Sequence, residues 1–139
     1  MDAEKARKVT RTAIFLPDTF LNWIIGIVFI ISPEEIDSIL GSSPLLPQLF
    51  YIAMGIGFLL FALWQSWVLL KGSFNHSELV IAGLLAVFPA ALLATALIKL
   101  DLDLRPTWRI VLWASAGYMT ALGAWYLFLA EKLREMKSS

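Results

Sequence analysis

The chain is 139 residues long, 59% hydrophobic and 16% charged, with a mean hydropathy of +0.75 and zero formal net charge. A soluble domain carries about 25% charged residues spread along its length; here they cluster between long apolar blocks, as a lipid solvent demands when a mid-bilayer charge costs roughly 2.5–3.5 kcal/mol. Eleven bases against eleven acids give no basis for nucleic acid binding, and the absence of cysteine excludes disulfides, iron–sulfur ligation, thiol-based quinone reduction and a cysteine nucleophile.

Residues 2–11 carry Asp2, Glu4, Lys5, Arg7, Lys8 and Arg11, a hydrophilic lead expected to be helical and to lie near the headgroups. The first apolar block, about 12–31, has the roughly 20 residues needed to cross about 30 Å at 1.5 Å each. It ends in Ile30-Ile31-Ser32-Pro33-Glu34, without a small-x-small cleavage pattern, so an uncleaved span is expected rather than a signal peptide. Pro17 falls in its first two turns, where it either bends the helix or marks its start.

Ser32-Pro33-Glu34-Glu35 is a helix-start pattern, with a capping serine, proline at the first position and a glutamate to complete a capping box. Ile36, Ile39 and Leu40 make a one-sided stripe and Gly41 a stop, which predicts a short interfacial helix over about 33–40. Ser42-Ser43-Pro44-Leu45-Leu46-Pro47 reads as an extended linker. The second span is predicted over about 47–70, closed by Lys71-Gly72. Asn75-His76-Ser77-Glu78 offers a capping box opening the third, about 77–100, with Pro89 as a kink. The linker 101–106 leads to the fourth, about 107–130, which runs on as a charged helical tail. The expected fold is therefore all-α: a polytopic membrane protein, one antiparallel bundle of four transmembrane helices.

Eight Lys and Arg residues fall at one face (Lys5, Arg7, Lys8, Arg11, Lys71, Lys132, Arg134, Lys137) and three at the other (Lys99, Arg105, Arg109), which predicts both termini in the cytoplasm. Trp64, Trp67, Trp125 and Tyr126 fall near the inner boundary and Trp108 near the outer, the expected places for interface anchors. Lipid gives no hydrophobic drive for helix association, so small residues mark packing faces. Candidates are Ala53 and Gly57 in the second span, Ala82, Ala86, Ala90 and Ala94 in the third, and Ala116, Thr120 and Ala124 in the fourth, with spans three and four expected in closest contact. The same stripes suit a partner subunit.

Asp18 is the one acidic residue placed within a span, and an intramembrane ionisable group is a functional candidate when its partners are named. At its depth lie Asn22, one turn on, and Gln65 and Ser66; Lys71, His76 and Glu78 stand at the same side. Together they predict a polar cluster at the inner mouth, suited to a proton, a cation or a polar headgroup. Two structural readings stand beside it: Asp18 as a helix-start residue favoured by the dipole, or Asp18 paired with Arg11. His76 has no histidine, cysteine or helically spaced carboxylate companion, so no metal site is expected. Glu34, Glu35 and Asp37, with Asp101 and Asp103, read as a solvated outer rim. Paired-carboxylate, Ser-His-Asp and phosphate-loop patterns are absent, so neither an enzyme nor a cofactor is expected.

The stretch Ser32-Pro33-Glu34-Glu35-Ile36, then Leu40-Gly41, then Pro47 to Leu60 with Gly55-Ile56-Gly57-Phe58-Leu59-Leu60, resembles the small DoxX-like four-helix membrane proteins. The resemblance implies a first span ending in a Pro-containing short helix closed by Leu-Gly, followed by a glycine-containing second span. Some members of that group are accessory subunits of respiratory oxidases. The leading expectation is a non-catalytic subunit that packs against and stabilises a larger membrane protein complex, its partners being the lipid bilayer and other membrane subunits or itself. The alternative is a small oligomeric proton- or cation-coupled transporter using Asp18. Third is a lipid-modifying enzyme, for which acid–base partners are missing.

Overall fold

The computed structural model describes residues 2–42, 44–72 and 74–138. The described chain is helical throughout, apart from turns, linkers and one isolated antiparallel bridge. Four helical stretches are long and apolar enough to cross a bilayer: Glu4–Ile31, Gln48–Lys71, His76–Lys99 and Pro106–Met136. The elements are α1 (Ala3–Thr10), a π-helical turn (Arg11–Phe15), α2 (Leu16–Ile31), α3 (Pro33–Leu40), α4 (Gln48–Lys71), α5 (His76–Lys99) and α6 (Pro106–Ser138). The fold is all-α and polytopic, as the apolar block lengths require.

Pro17 neither starts nor breaks the first helix. The turn before it widens, so that the Leu16 N–H reaches the Arg11 carbonyl, five residues back. Proline lacks the N–H for the usual bond and its ring crowds the carbonyl four residues back; a wide turn relieves that crowding and keeps one helix from α1 through α2. α3 occupies the predicted span, with Pro33 at its start, but Ser32 makes no side-chain cap bond. Gly41 ends it in an extended conformation, where its backbone joins Leu104: the Ser42 N–H donates to Asp103 O at 3.2 Å and the Arg105 N–H to Leu40 O at 2.9 Å. The 42–47 linker is non-helical in its described residues, Ser43 lying outside them. α4 ends at Gly72, whose φ of 83° is the left-handed cap that favours glycine. α5 opens with the predicted capping box: the Glu78 N–H donates to Asn75 Oδ1 and the Asn75 N–H to Glu78 Oε1, both at 3.0 Å. The helix continues through Pro89.

The chain divides into two compact units. In one, α2 packs antiparallel on α4, with α3 and residues 103–105 at one end. Gly26 faces Gly55: a Cβ on Gly55 would lie 2.8 Å from the Gly26 carbonyl oxygen and 3.0 Å from Phe29 Cβ. Phe29 packs edge-on to Tyr51 and Phe58, which flank Gly55 along α4. In the other unit α1 groups with α5 and α6, and α5 and α6 pack antiparallel. Gly83 faces Gly123 there; a Cβ on Gly123 would lie 2.9 Å from the Gly83 carbonyl oxygen and would strike Val87 Cγ2. Each pair thus closes on a glycine–glycine contact, where dispersion and close backbone approach supply the attraction that lipid does not.

The packing faces correct several expectations. Ala82, Ala86, Ala90 and Ala116 are buried and Ala94 half-buried, but Ala53, Gly57, Thr120 and Ala124 are exposed. A Cβ at Gly57 or Gly117 would meet nothing within 4 Å. On α6 the buried face is Ala116, Gly123, Tyr126, Ala130 and Leu133, a helical face rotated away from Thr120 and Ala124. Tyr126 is therefore not an interface anchor: it is 1% exposed and packs edge-on to Phe74.

Candidate functional site

Asp18, Asn22 and Gln65 meet where α2 crosses the second half of α4. Asp18 and Asn22 lie on one face by their i, i+4 spacing, and the antiparallel α4 brings Gln65 opposite. Gln65 Nε2 donates to Asp18 Oδ2 at 2.9 Å, Asn22 Nδ2 to the same oxygen at 3.3 Å, and Asn22 Nδ2 also to Gln65 Oε1 at 2.8 Å. Gln65 is fully buried and Asn22 and Thr19 nearly so, while Asp18 is half-buried. Thr19 Oγ1 donates to the Phe15 carbonyl at 2.8 Å, and Trp23 Nε1 donates across to Ser66 Oγ at 3.0 Å. The result is a polar band spanning the two helices. One end is walled by the buried Phe15, which packs edge-on to Trp64.

The expected Asp18–Arg11 pair does not form. Arg11 Nη2 instead donates to the Leu69 carbonyl in the last turn of α4, and Arg11 Nε is buried without a hydrogen-bond partner among the described residues. That carbonyl, in the last turn, takes only the longer Gly72 N–H bond at 3.3 Å from the backbone of the described residues, so a guanidinium there serves as a C-terminal cap. Among the described residues, Asp18 draws its bonds from neutral amides alone.

The other members of the predicted cluster are engaged elsewhere. Lys71 Nζ lies 4.7 Å from the Trp67 ring centroid. His76 Nδ1 bonds the Ala130 carbonyl of α6 at 2.8 Å, and Glu78 is the buried partner of Asn75 in the capping box. The His76–Ala130 bond ties α5 to α6, whereas the capping box is local to the start of α5. Among the proposed anchors, Trp67 and Trp125 are exposed and Trp64 and Trp108 half-buried; Trp64 stacks on Phe61 and Trp125 tilts over Phe128. No trio of His, Cys, Asp or Glu gathers among the described residues.

A second polar site was read from sequence as a solvated rim. Asp37 Oδ1 accepts the Tyr51 hydroxyl at 2.5 Å and the N–H groups of Leu45 and Leu46 at 3.2 Å each. It fastens the Pro-rich linker and the start of α4 to α3, and Arg105 Nη2 adds a bond to Ser38 O at 3.3 Å. The Tyr51 hydroxyl, aided by the two backbone N–H groups, holds the Asp37 carboxyl below the usual carboxylate range against a partial desolvation that opposes it. The only sequence signal was an acid near the end of a short helix before a tight linker.

Compared with known protein families, curated proteins and solved structures, the chain matches none.

Proposed function

We propose that this chain is a non-catalytic integral membrane subunit that packs against and stabilises a larger membrane protein complex, with both termini in the cytoplasm. The observation that carries the reading is the small-residue face left open on α6. Ala114, Gly117, Ala121 and Ala124 recur at helical spacing and all are exposed. The α5/α6 contact uses a different face, centred on Gly123. Against lipid, such a face offers little contact area; against another helix it permits close backbone approach. Among the described residues Asp18 bonds only to neutral amides, which favours a structural role over catalysis. The likeness of Ser32–Leu60 to DoxX-like proteins, some of them oxidase subunits, points the same way.

The orientation rests on the Lys and Arg bias, eight against three. Arg11 meets the end of α4 that carries Lys71, so within that pair the bases collect at one end. α6, with 33 residues at about 1.5 Å each, extends roughly 50 Å, well beyond a hydrocarbon core of about 30 Å. Its surplus carries the Arg134–Glu131 and Lys132–Glu135 pairs.

Because the chain has no cysteine, a single Gly117→Cys carries a photocrosslinker without background. Capture of a distinct membrane protein from Gly117→Cys, but not from Leu63→Cys on an exposed face of α4, supports the reading. Equal labelling of lipid from both positions refutes it. A second reading, an oligomeric carrier that couples to a cation or proton at Asp18, is favoured by the meeting of Asp18 with Asn22 and Gln65. It requires Asp18-dependent flux in proteoliposomes.

A further inference from the structure

The polar band leaves one electrostatic account open. Asp18 lies within an apolar span, yet every bond it receives from the described residues comes from a neutral amide. The charged groups on the elements packed against α2 are committed elsewhere. Arg11 of the π-helical turn bonds the Leu69 carbonyl, and Lys71 of α4 lies over Trp67. Those of α3 are all acidic, with Asp37 bonded to Tyr51 at the far end of α2. A carboxylate below the headgroups without a counter-charge is costly, and a positive charge from outside the chain removes that cost.

We infer that Asp18, Asn22 and Gln65 form a binding site for a small hard monovalent cation, Na+. The inference rests on the carrier reading only in taking Asp18 as a cation site, and requires no transport. The donor set is all oxygen, one carboxylate and two amides, the chemistry that hard cations select. Asp18 Oδ2 accepts both amide N–H bonds, whereas Oδ1 and Asn22 Oδ1 accept none from the described residues. A concerted half-turn of the Gln65 and Asn22 amides exchanges N–H for oxygen at both and keeps the bond between them, so the amides can serve the carboxylate when the site is empty and the ion when it is filled. One carboxylate balances one positive charge; a divalent ion would leave a net charge buried. A proton would engage one carboxylate oxygen only, whereas a sodium ion would draw on the oxygens of both amides as well.

The test uses the full chain in nanodiscs, melted in NaCl, KCl or choline chloride at equal ionic strength, with binding of radioactive sodium measured in parallel. At about ten times Kd, Na+ should raise Tm by roughly 3–6 °C relative to choline. Saturable sodium binding should be lost in Asp18→Asn, whose melting in choline reports whether it still folds. If that variant does not fold, the wild-type binding isotherm decides alone. Absence of saturable sodium binding overturns the inference, as does undiminished binding in a folded Asp18→Asn. Should sodium fail to bind while a proton gradient drives Asp18-dependent uptake, the sodium site falls and the carrier reading stands.

Discussion

Replacing Gly55 with alanine tests the claim that each helix pair is held by glycine–glycine contact. The added methyl would sit 2.8 Å from the Gly26 carbonyl oxygen, 2.8 Å from Ile30 Cγ1 and 3.0 Å from Phe29 Cβ. The first of these is backbone, so a rotamer change cannot relieve it and the helices must part. Overpacking of this kind costs about 1–3 kcal/mol. At Gly26 the nearest atoms are the ends of the Leu59 side chain, at 2.7 and 2.8 Å, with the Gly55 oxygen at 3.0 Å. Leu59 can move, so Gly26→Ala should fall at the lower end of that range. Gly57→Ala is the control: it meets nothing within 4 Å, and should be neutral or stabilising by up to about 1 kcal/mol through helix propensity. The assay is reversible unfolding in mixed micelles by SDS titration, followed by tryptophan fluorescence. Equal effects of Gly55→Ala and Gly57→Ala would refute the reasoning, since only the close approach distinguishes the two sites.

Asp37 should make the clamp between α3, the linker and α4 acid-sensitive. Its folded pKa lies below the ordinary value, so its contribution is present above about pH 4 and is lost as pH falls through the folded value. Wild-type melting temperature should drop on acidification in that window, and Asp37→Asn should flatten the profile while lowering stability at neutral pH. Asn75→Ala removes one half of the capping box and should cost about 1 kcal/mol by the same SDS titration. Gln65→Leu leaves Asp18 with a single amide donor; a loss of about 1–2 kcal/mol is expected, and a double-mutant cycle with Asp18→Asn should show coupling, whereas additivity would break the network apart.

The spans were legible because the bilayer sets their length, and α3 was legible because Pro33 and Gly41 punctuate it at both ends. The meeting of Asp18, Asn22 and Gln65 followed from depth alone: i, i+4 spacing placed two on one face and the antiparallel return placed the third. Rotation about the helix axis was much harder to read. A span that is apolar all round carries no polar face to orient it, and one residue of error turns the face by about 100°. The sequence pattern thus points to Ala124 where Gly123 does the packing, and to Gly57 where Gly55 does. Tyr126 suits a membrane boundary by composition, yet it is enclosed with Phe74. Asp37 resembled Glu34 and Glu35 in sequence, and only the fold of the 44–47 linker brings Tyr51 and two backbone N–H groups to it.

Affinity purification of the native protein in a gentle detergent, with mass spectrometry and native-gel sizing, tests the central claim most directly. The account predicts stoichiometric co-purification with a larger membrane complex, lost when Gly117 and Ala121 are both replaced by leucine. A homogeneous assembly of this chain alone, unchanged by those substitutions, would contradict it.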